Sequence, residues 1–351
     1  MPLTHAYAAQ SADAKLEPFS FHRREPGEND ILLEILYCGV CHSDIHQVRN
    51  EWGGSMYPMV PGHEIVGRVS RVGAEVKAFH VGDLAGIGCF VDSCRTCDSC
   101  RAGQEQYCEV HLAATYNGTE MDQVTPTYGG YSKRIVVNEE YALKIPGNLS
   151  LQRVAPLLCA GITTYSPLKY WKLEKGQHLG VIGLGGLGHM AVKFGAAMGA
   201  EVTLFSSSPS KEQDALRLGA DHFIISQDRR AMKGLASSLD LIIDTVSAPH
   251  DYNDFLSLLH RDGTMVIVGI PTTPGGVAAF SLVQKRRNLA GSMIGGIGET
   301  QEMLDYCGKH NIMSDVEVIP MQQINTAYQR MLKSDVKYRF VIDMSSLPDF
   351  L

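Results

Sequence analysis

A glycine-rich turn at residues 183–188 (GLGGLG) is the feature that most constrains how this 351-residue chain can fold. An apolar segment precedes the turn, and a pattern of helical period follows it through residue 198. Its glycines are Gly183, Gly185, Gly186 and Gly188. Glycines in this arrangement allow a tight turn, let the backbone approach a pyrophosphate, and direct the N-terminus of a helix at the phosphates.

Strand-like and helix-like patterns alternate from residue 179 to residue 293. Short apolar runs of strand length are separated by segments with helical spacing, for example residues 211–218 and 252–260. Such alternation is typical of a parallel sheet with helices on both faces. We therefore predict α/β architecture, with a Rossmann doubly wound parallel sheet over residues 159–297 that binds a dinucleotide.

The end of the second predicted strand indicates which dinucleotide this domain prefers. An NAD site carries an acidic residue about 20 positions after the first glycine. Here the chain has Ser206, Ser207 and Lys211, and no carboxylate before Glu212. Hydroxyl groups and a lysine can bind the 2′-phosphate of NADP(H), which a carboxylate would repel. We predict NADP(H); the alternative is a polar loop whose lysine is solvated.

The segments on either side of this domain have the patterns of short strands and turns. Residues 31–37, 65–73 and 338–343 are predicted strands, and 65–73 alternates with period two before ending at a glycine. We predict that residues 1–158 and 298–351 form one mainly β domain, into which the dinucleotide-binding domain is inserted.

A second chemical feature lies early in the chain, around Cys41 and His63. A thiolate and an imidazole are ligands that Zn²⁺ prefers. Ser43, Asp44 and His46 add a hydroxyl, a carboxylate and a second imidazole close by. A structural zinc site needs four closed ligands, whereas a catalytic site needs three ligands, an open position and a route for a proton. The pattern predicts a catalytic zinc site.

Four further cysteines follow the spacing C-x₂-C-x₂-C-x₇-C, in a lobe at about residues 89–112. They are Cys94, Cys97, Cys100 and Cys108. Four thiolates make a closed, structural zinc site. An iron–sulfur cluster is the main competing interpretation, but its bacterial motif has three residues before the fourth cysteine and a proline after it. Disulfide pairing and a nucleic-acid-binding zinc ribbon would also use these cysteines.

Composition excludes several classes of function. A net charge of −7 argues against a surface for nucleic acid. No apolar run reaches the roughly 18 residues that would predict a membrane span, and the N-terminus lacks secretory-signal chemistry. Nine cysteines, four of them at metal spacing, fit a reducing compartment, so we expect a cytoplasmic protein.

Together these motifs resemble the medium-chain zinc alcohol dehydrogenases, in their cinnamyl-alcohol-dehydrogenase branch, and within it bacterial NADPH-dependent aldehyde reductases. The matching segments are residues 39–46, 61–64, 158–165, 183–188, 338–340 and the four-cysteine lobe. The resemblance covers essentially the whole chain. It implies a GroES-like, mainly β catalytic domain, two Zn²⁺ ions per chain, NADP(H), a small aldehyde or alcohol substrate and a homodimer.

The resemblance also implies roles for residues around the catalytic zinc. Cys159 becomes the third ligand, which spacing alone does not indicate, because a lone cysteine is usually a buried small hydrophobe. Glu64 corresponds to a glutamate beside the metal, which is either a possible alternate ligand or a carboxylate outside the ligand set. Asp44 corresponds to the residue that orients the ligand histidine, here His63.

The proton relay and the cofactor contacts follow from the same resemblance. Ser43 would hydrogen-bond the substrate oxygen, and His46 would exchange protons with solvent; the alternative for His46 is a plain surface histidine. The remaining implied cofactor contacts are Thr163, Ser292, Ile294 and Arg339. For Arg339 the alternative is an ion pair within the protein.

The substrate pocket departs from the plant pattern. Plant members of the branch carry a tryptophan before Thr-Tyr-Asn, whereas Ala114 precedes that tripeptide here. The pocket therefore lacks an aromatic wall, and Trp52 is a candidate to line it or to fill the core. We predict reversible, NADP(H)-linked reduction of aliphatic and aromatic aldehydes to primary alcohols. The competing interpretations are a polyol or secondary-alcohol dehydrogenase, and a non-catalytic zinc-stabilised binding protein.

Overall fold

Two compact units divide the chain in the computed structural model, which describes residues 3–271, 273 and 275–348. The first unit consists of Met1–Cys159 and Gly295–Leu351, and the second of Ala160–Ile294. The second unit is continuous in sequence and interrupts the first. Among the described residues, every helix falls short of the length and hydrophobicity that a bilayer-crossing segment requires.

The elements are numbered in chain order. The strands are β1 (Leu3–Ala8), β2 (Glu17–His22), β3 (Asp30–Val40), β4 (Ile65–Val72), β5 (Leu84–Ile87), β6 (Phe90–Ser93), β7 (Leu112–Ala114), β8 (Arg134–Asn138), β9 (Leu143–Lys144), β10 (His178–Ile182), β11 (Glu201–Ser206), β12 (His222–Ile225), β13 (Leu239–Asp244), β14 (Leu259–Ile267), β15 (Asn288–Gly291), β16 (Val316–Pro320) and β17 (Arg339–Asp343). The helices are α1 (His42–Val48), α2 (Asp98–Arg101), α3 (Leu151–Val154), α4 (Ala160–Tyr170), α5 (Gly188–Met198), α6 (Glu212–Leu218), α7 (Arg229–Gly234), α8 (Tyr252–Leu256), α9 (Ala279–Val283), α10 (Ile297–His310) and α11 (Ile324–Leu332).

The second unit contains a six-stranded sheet in the order β12-β11-β10-β13-β14-β15, and every neighbouring pair is parallel. Leu179 and Val181 of β10, like Val202 and Ile242 on its two neighbours, are fully buried, as expected of a parallel sheet covered on both faces. The predicted doubly wound parallel sheet is confirmed. The predicted helical segment 252–260 is wrong at its C-terminal end, because α8 ends at Leu256 and β14 begins at Leu259.

The strand order reverses between β10 and β13, and this is where a doubly wound sheet binds its ligand. The glycine turn follows β10 directly and opens α5. Gly183 has a φ of +89°, which disfavours other residues, and a Cβ on Gly188 would lie 2.0 Å from the carbonyl oxygen of Gly183. The turn therefore requires glycine at both positions.

The first unit is built on a seven-stranded, mainly antiparallel sheet whose path is β16-β17-β3-β4-β5-β9, with β8 also paired to β3. The long central strand β3 pairs with β4, β8 and β17, and Ile31 and Leu33 on it are fully buried. The chain leaves β3 at Val40 and enters α1 at His42. The centre of this sheet therefore fixes the position of Cys41.

The four-cysteine lobe follows the sheet strand β5. Strands β6 and β7 form a two-stranded antiparallel sheet, and the short helix α2 lies between them in sequence. All four cysteines of the predicted structural site lie in the connection between β6 and β7. A compact loop closed by two short strands is a fold too small to have much core of its own, so a bound metal suits it.

Candidate active site

Three separate segments of the first unit bring Cys41, His63, Glu64 and Cys159 together. One ligand atom from each of these four residues lies within 4.8 Å of the others, and all four residues are buried. Cys41 follows the central strand β3, His63 and Glu64 lead into β4, and Cys159 follows the 3₁₀ turn Ala155–Leu158. Two sulfurs, an imidazole and a carboxylate form a donor set that fits tetrahedral Zn²⁺.

Asp44 holds His63 in place. Oδ1 of Asp44 lies 3.1 Å from Nδ1 of His63, which leaves Nε2 as the imidazole nitrogen available to a metal. Asp44 is fully buried and also accepts a hydrogen bond of 2.8 Å from the backbone N–H of Cys41. Although burial lowers the pKa of His63, the Asp44 carboxylate raises it well above its usual value. The structure thus places Asp44 where the resemblance implies an orienting residue.

The pKa values of the two thiols in the cluster shift in opposite directions. The hydrogen bond from Cys159 lowers the pKa of Cys41 well below its usual value, and Arg339 acts in the same direction against burial. The pKa of Cys159 is raised, first by its hydrogen bond to Cys41. A thiolate in a buried site strongly favours a cation, so the electrostatics fit a bound Zn²⁺.

Glu64 and Arg339 form a buried ion pair beside these ligands. Nη2 of Arg339 donates to Oε1 of Glu64, and Nη1 lies 3.7 Å from Sγ of Cys41. Burial raises the pKa of Glu64 to about 7 although Arg339 opposes that rise. Oε2 of Glu64 is buried and has no hydrogen-bond partner among the described residues. An unpartnered oxygen at this place fits an approach to a metal, which is the alternate-ligand role.

Arg339 is the predicted cofactor contact whose surroundings differ most from the expectation. In the structure its guanidinium is buried against Glu64 and Cys41, which is the ion-pair alternative. Its role toward a cofactor stays a prediction. The sequence showed no sign of this pairing, because Glu64 and Arg339 lie 275 residues apart.

The two relay residues lie on the first turns of α1. Oγ of Ser43 is 3.6 Å from Sγ of Cys41, next to the metal cluster. Nδ1 of His46 lies 2.5 Å from Oε2 of Glu51, while its Nε2 is buried without a hydrogen-bond partner among the described residues. Trp52 stacks on His46 with the ring centroids 4.8 Å apart.

Glu51 is a functional candidate that the sequence reasoning missed. Its carboxylate reaches His46 on one side and lines an open groove of about 490 Å³ on the other. Arg49 and Lys15 line the same groove. A carboxylate just beyond the C-terminal end of α1 was the available signal. Since Glu51 is both bonded to the imidazole and accessible to solvent, it can pass protons between them.

The two substrate-pocket candidates, Ala114 and Trp52, lie on different segments of the first unit. Ala114 ends β7, two residues before Tyr116, whose ring stacks on His63 at 5.7 Å. Asn117 donates 2.6 Å to the side chain of Gln47 on α1 and so ties this segment to the relay helix. Trp52 packs against the ring of His46. Their contact with substrate stays a prediction.

The second candidate metal site consists of four convergent thiols. Their sulfur atoms all lie within 4.8 Å of one another, and among the described residues every cysteine is an unpaired thiol. Sγ of Cys94 accepts backbone N–H bonds of 3.3 Å from Cys97 and 3.4 Å from Thr96. The Cys97 bond is the main reason that the pKa of Cys94 falls to about 6. Backbone donors aimed at sulfur fit thiolates that hold a metal.

The dinucleotide candidates of the second unit lie around the glycine turn. Nζ of Lys211 donates 2.8 Å to the carbonyl oxygen of Leu184, inside the turn, and burial lowers the pKa of this lysine. Ser206 ends β11 and is buried, whereas Ser207 is exposed. Oγ of Ser206 accepts the N–H of Ser208 at 3.2 Å. The arrangement brings a cation and a hydroxyl to one edge of the turn.

The other predicted cofactor contacts are spread over two elements. Thr163 is buried in α4, and Ser292 and Ile294 are half-buried in the segment that follows β15. The backbone N–H of Ser292 donates 3.2 Å to Ile267, and Ile294 has a φ of +39°. Their contact with a cofactor stays a prediction.

Comparison with known protein families explains why these sites occur in one chain. The family described as alcohol dehydrogenase GroES-like domain matches residues 27–147, and the family described as zinc-binding dehydrogenase matches residues 186–309. The chain therefore belongs to the zinc-dependent medium-chain alcohol dehydrogenases. The predicted GroES-like character of the first unit and the predicted family are confirmed.

Individual relatives place the chain in the cinnamyl-alcohol-dehydrogenase branch. It is 55% identical over 346 residues to the aldehyde reductase YahK of Escherichia coli, covering 98% of this chain and 99% of that protein. It is 53% identical over 342 residues to a probable mannitol dehydrogenase of Mesembryanthemum crystallinum, covering 97% and 94%. A structure of the cinnamyl alcohol dehydrogenase of Helicobacter pylori, complexed with NADP(H), matches with a TM-score of 0.92 at 44% identity and covers 98% of each chain.

Proposed function

We propose that this chain is a zinc-dependent oxidoreductase that reduces aldehydes to primary alcohols reversibly with NADP(H), over a broad aliphatic and aromatic range. The observation that carries the proposal is the convergence of Cys41, His63 and Cys159 in one buried cluster, with Asp44 behind the histidine. A Zn²⁺ ion held there acts as a Lewis acid toward a carbonyl oxygen, and NADPH supplies the hydride. The relative YahK is named an aldehyde reductase.

The chain's own residues would manage the proton of this reaction. Ser43 lies beside Cys41 and would hydrogen-bond the substrate oxygen. His46 would exchange a proton with Glu51, to which it is already bonded at 2.5 Å. In the direction of aldehyde reduction, Glu51 would take up that proton at the groove that it lines and pass it to His46. The stacking of Trp52 on His46 would keep the imidazole in place for this exchange.

The preference for NADP(H) would rest on the loop after β11. Lys211 and Ser207 would bind the 2′-phosphate, while Gly183, Gly185, Gly186 and Gly188 would bind the pyrophosphate. The half-buried position of the Lys211 ammonium next to Leu184 supports this role. The H. pylori relative, which was crystallised with NADP(H), supports it as well. We propose residues 159–297 as the NADP-binding domain on the same grounds.

The roles of the two metal clusters are part of the same proposal. Cys41, His63 and Cys159 would hold the catalytic Zn²⁺, with Glu64 as the alternate ligand. The four cysteines of the lobe would hold the structural Zn²⁺. Residues 1–158 and 298–351 would form the catalytic domain, with the lobe at about residues 89–112.

A second candidate function is oxidation of a polyol, and one observation favours it. A relative named a probable mannitol dehydrogenase is 53% identical to this chain, so overall similarity does not separate the two activities. Ala114 bears on the choice, because a methyl group at the end of β7 fills little space and leaves room for bulky aldehydes. An aldehyde reductase should therefore prefer aromatic and longer aliphatic substrates to sugar alcohols.

One assay series tests the proposed function and the polyol candidate together. Purified enzyme is given aldehydes of increasing size, and mannitol in the reverse direction, with NADPH or NADH and with NADP⁺ or NAD⁺. Each reaction is repeated after metal removal and after zinc is added back. We expect NADPH-dependent aldehyde reduction that is lost on metal removal and restored by zinc. Preferential mannitol oxidation with NAD⁺ would favour the second candidate, and no turnover of any substrate would contradict both.

We also propose a homodimer and a cytoplasmic location. Strand β15 is an edge strand of the six-stranded sheet, and its outer edge pairs with no other described strand. The helix that precedes it in the chain, α9, has no buried residue, and Phe280 and Val283 on it are 77% and 68% exposed. An open sheet edge and exposed apolar side chains both favour pairing with a second copy. Light scattering should report a dimer, and Phe280→Asp should weaken it; a monomer at micromolar concentration would contradict the proposal.

A further inference from the structure

The Asp44 carboxylate behind His63 receives four hydrogen bonds, two on each oxygen. Oδ1 accepts from the backbone N–H of Gly62 at 3.3 Å and lies 3.1 Å from Nδ1 of His63. Oδ2 accepts from the backbone N–H of Cys41 at 2.8 Å and from the hydroxyl of Tyr131 at 3.1 Å. Two donors on each oxygen fix both the position and the rotation of the carboxylate.

Tyr131 differs from the other three donors because it comes from a different part of the chain. Cys41, Gly62 and His63 belong to the ligand segments themselves, whereas Tyr131 lies just before β8. Its side chain is fully buried. Its hydroxyl is therefore a contribution of the surrounding fold to the metal cluster, made through Asp44.

The backbone around Tyr131 holds this side chain firmly. Its N–H donates 2.9 Å to the carbonyl oxygen of Pro61, and its carbonyl oxygen accepts 2.9 Å from Tyr7. A Cβ on Gly62 would lie 2.7 Å from Cδ1 of Tyr131, so the ring packs directly on the backbone next to His63. The hydroxyl is thus held at a fixed place relative to the ligand histidine.

We propose that Tyr131 is a positioning residue for the Cys41–His63–Cys159 metal site, an inference that rests on the proposed catalytic zinc. Its O–H···O⁻ bond is charge-assisted and prevents the Asp44 carboxylate from rotating away from His63. With that bond, the imidazole Nε2 is held toward the two thiols. Outer hydrogen-bond partners of this kind change metal affinity or activity by about 10- to 100-fold.

The test is the rate at which each zinc leaves the holoenzyme of the Tyr131→Phe variant. A chromogenic chelator in excess follows zinc release, and the four-cysteine zinc serves as an internal reference in the same molecule. We expect the zinc ion of the Cys41–His63–Cys159 site to leave about tenfold faster than in the wild type, and the four-cysteine zinc to leave at an unchanged rate. The turnover number should fall while the KM for NADPH stays the same.

A matched control is Tyr141→Phe. Tyr141 is also almost fully buried, but its hydroxyl bonds Ser93 at 2.7 Å, and Ser93 contacts Cys100 of the other cluster at 3.2 Å. In Tyr141→Phe, the zinc ion that Tyr131→Phe releases faster should be released at the wild-type rate. Adding Tyr131→Phe to an Asp44→Asn variant should accelerate zinc release little further, because both substitutions act through one carboxylate.

Three results would overturn the inference. Release of both zinc ions at wild-type rates in Tyr131→Phe would show that the hydroxyl does not position the site. Equal acceleration of both ions together with a lower melting temperature would show a general structural role. Full additivity in the Asp44→Asn background would remove Asp44 as the link. A wild-type enzyme that carries zinc only at the four cysteines would instead contradict the proposed function itself.

Discussion

Replacing Lys211 should convert the enzyme from NADPH preference toward NADH. The Lys211 ammonium lies against the glycine turn, 2.8 Å from the carbonyl oxygen of Leu184, and burial disfavours its charged form. A half-buried ammonium that meets a phosphate makes a charge-assisted hydrogen bond of about 1.5–3 kcal/mol. Since about 1.4 kcal/mol is a factor of ten, Lys211→Met should lower the NADPH-over-NADH ratio of kcat/KM by about 10- to 100-fold.

The assay measures kcat/KM for both cofactors with one aldehyde at saturation. NADH is a built-in control, because a substitution that merely loosens the turn should harm both cofactors alike and leave the ratio unchanged. Lys211→Arg keeps the charge and should keep most of the preference, while Lys233→Ala removes an exposed lysine of α7 and should change nothing. An unchanged ratio in Lys211→Met would refute the assignment of the 2′-phosphate to this residue.

Three further substitutions give independent tests. Ser43→Ala should lower turnover by about 10²- to 10⁴-fold, the range for a lost proton-transfer group, while zinc content by atomic emission is unchanged. Gly188→Ala should abolish NADPH binding in a fluorescence titration, because its Cβ would lie 2.0 Å from a carbonyl oxygen of the turn, whereas a Cβ on Gly185 meets nothing within 4 Å. His250→Asn should destabilise the protein more at pH 5.5 than at pH 8.5 in urea unfolding. The interaction with the Asp244 carboxylate, whose Oδ2 lies 3.1 Å from Nε2 of His250, raises the pKa of His250, so the stabilisation from this ion pair is complete below the unfolded pKa and disappears as pH rises through the folded pKa.

Each of these tests has a contradicting result. Full turnover in Ser43→Ala would remove the hydroxyl from the proton path, and a loss of zinc would make the variant a structural one. Wild-type NADPH affinity in Gly188→Ala would mean that the turn tolerates a side chain. A difference in unfolding free energy between wild type and His250→Asn that is constant with pH would show that this ion pair contributes nothing through titration.

The parts of the fold that sequence predicted well are those set by local spacing. The glycine turn, the alternation around it and the four closely spaced cysteines each lie within a short stretch, so period and residue type were sufficient. The helix predicted over 252–260 failed for a related reason. A short apolar run near Leu256 and Leu259 fits a helix end and a strand start equally well, and only the pairing of β14 with β13 decides between them.

The parts of the site that sequence could not predict depend on long-range contacts. Cys159 has no local signature, and only the family resemblance pointed to it. The burial of Arg339 against Glu64 joins β17 to the segment before β4. This contact arises from how strands are ordered in the sheet, which residue type and period do not reveal. Glu51 was missed for a different reason: it lies only five residues from His46, but no residue pattern marks a carboxylate that contacts an imidazole.

Zinc content per chain in a Cys159→Ala variant tests the central claim most directly. The four cysteines of the lobe should retain one zinc ion and report that the variant is folded, while the cluster of Cys41 and His63, reduced to two of its three proposed ligands, should lose the other. Atomic emission should therefore read two zinc ions per chain in the wild type and one in the variant, with aldehyde reduction lost. Two zinc ions and full activity in the variant would contradict the account.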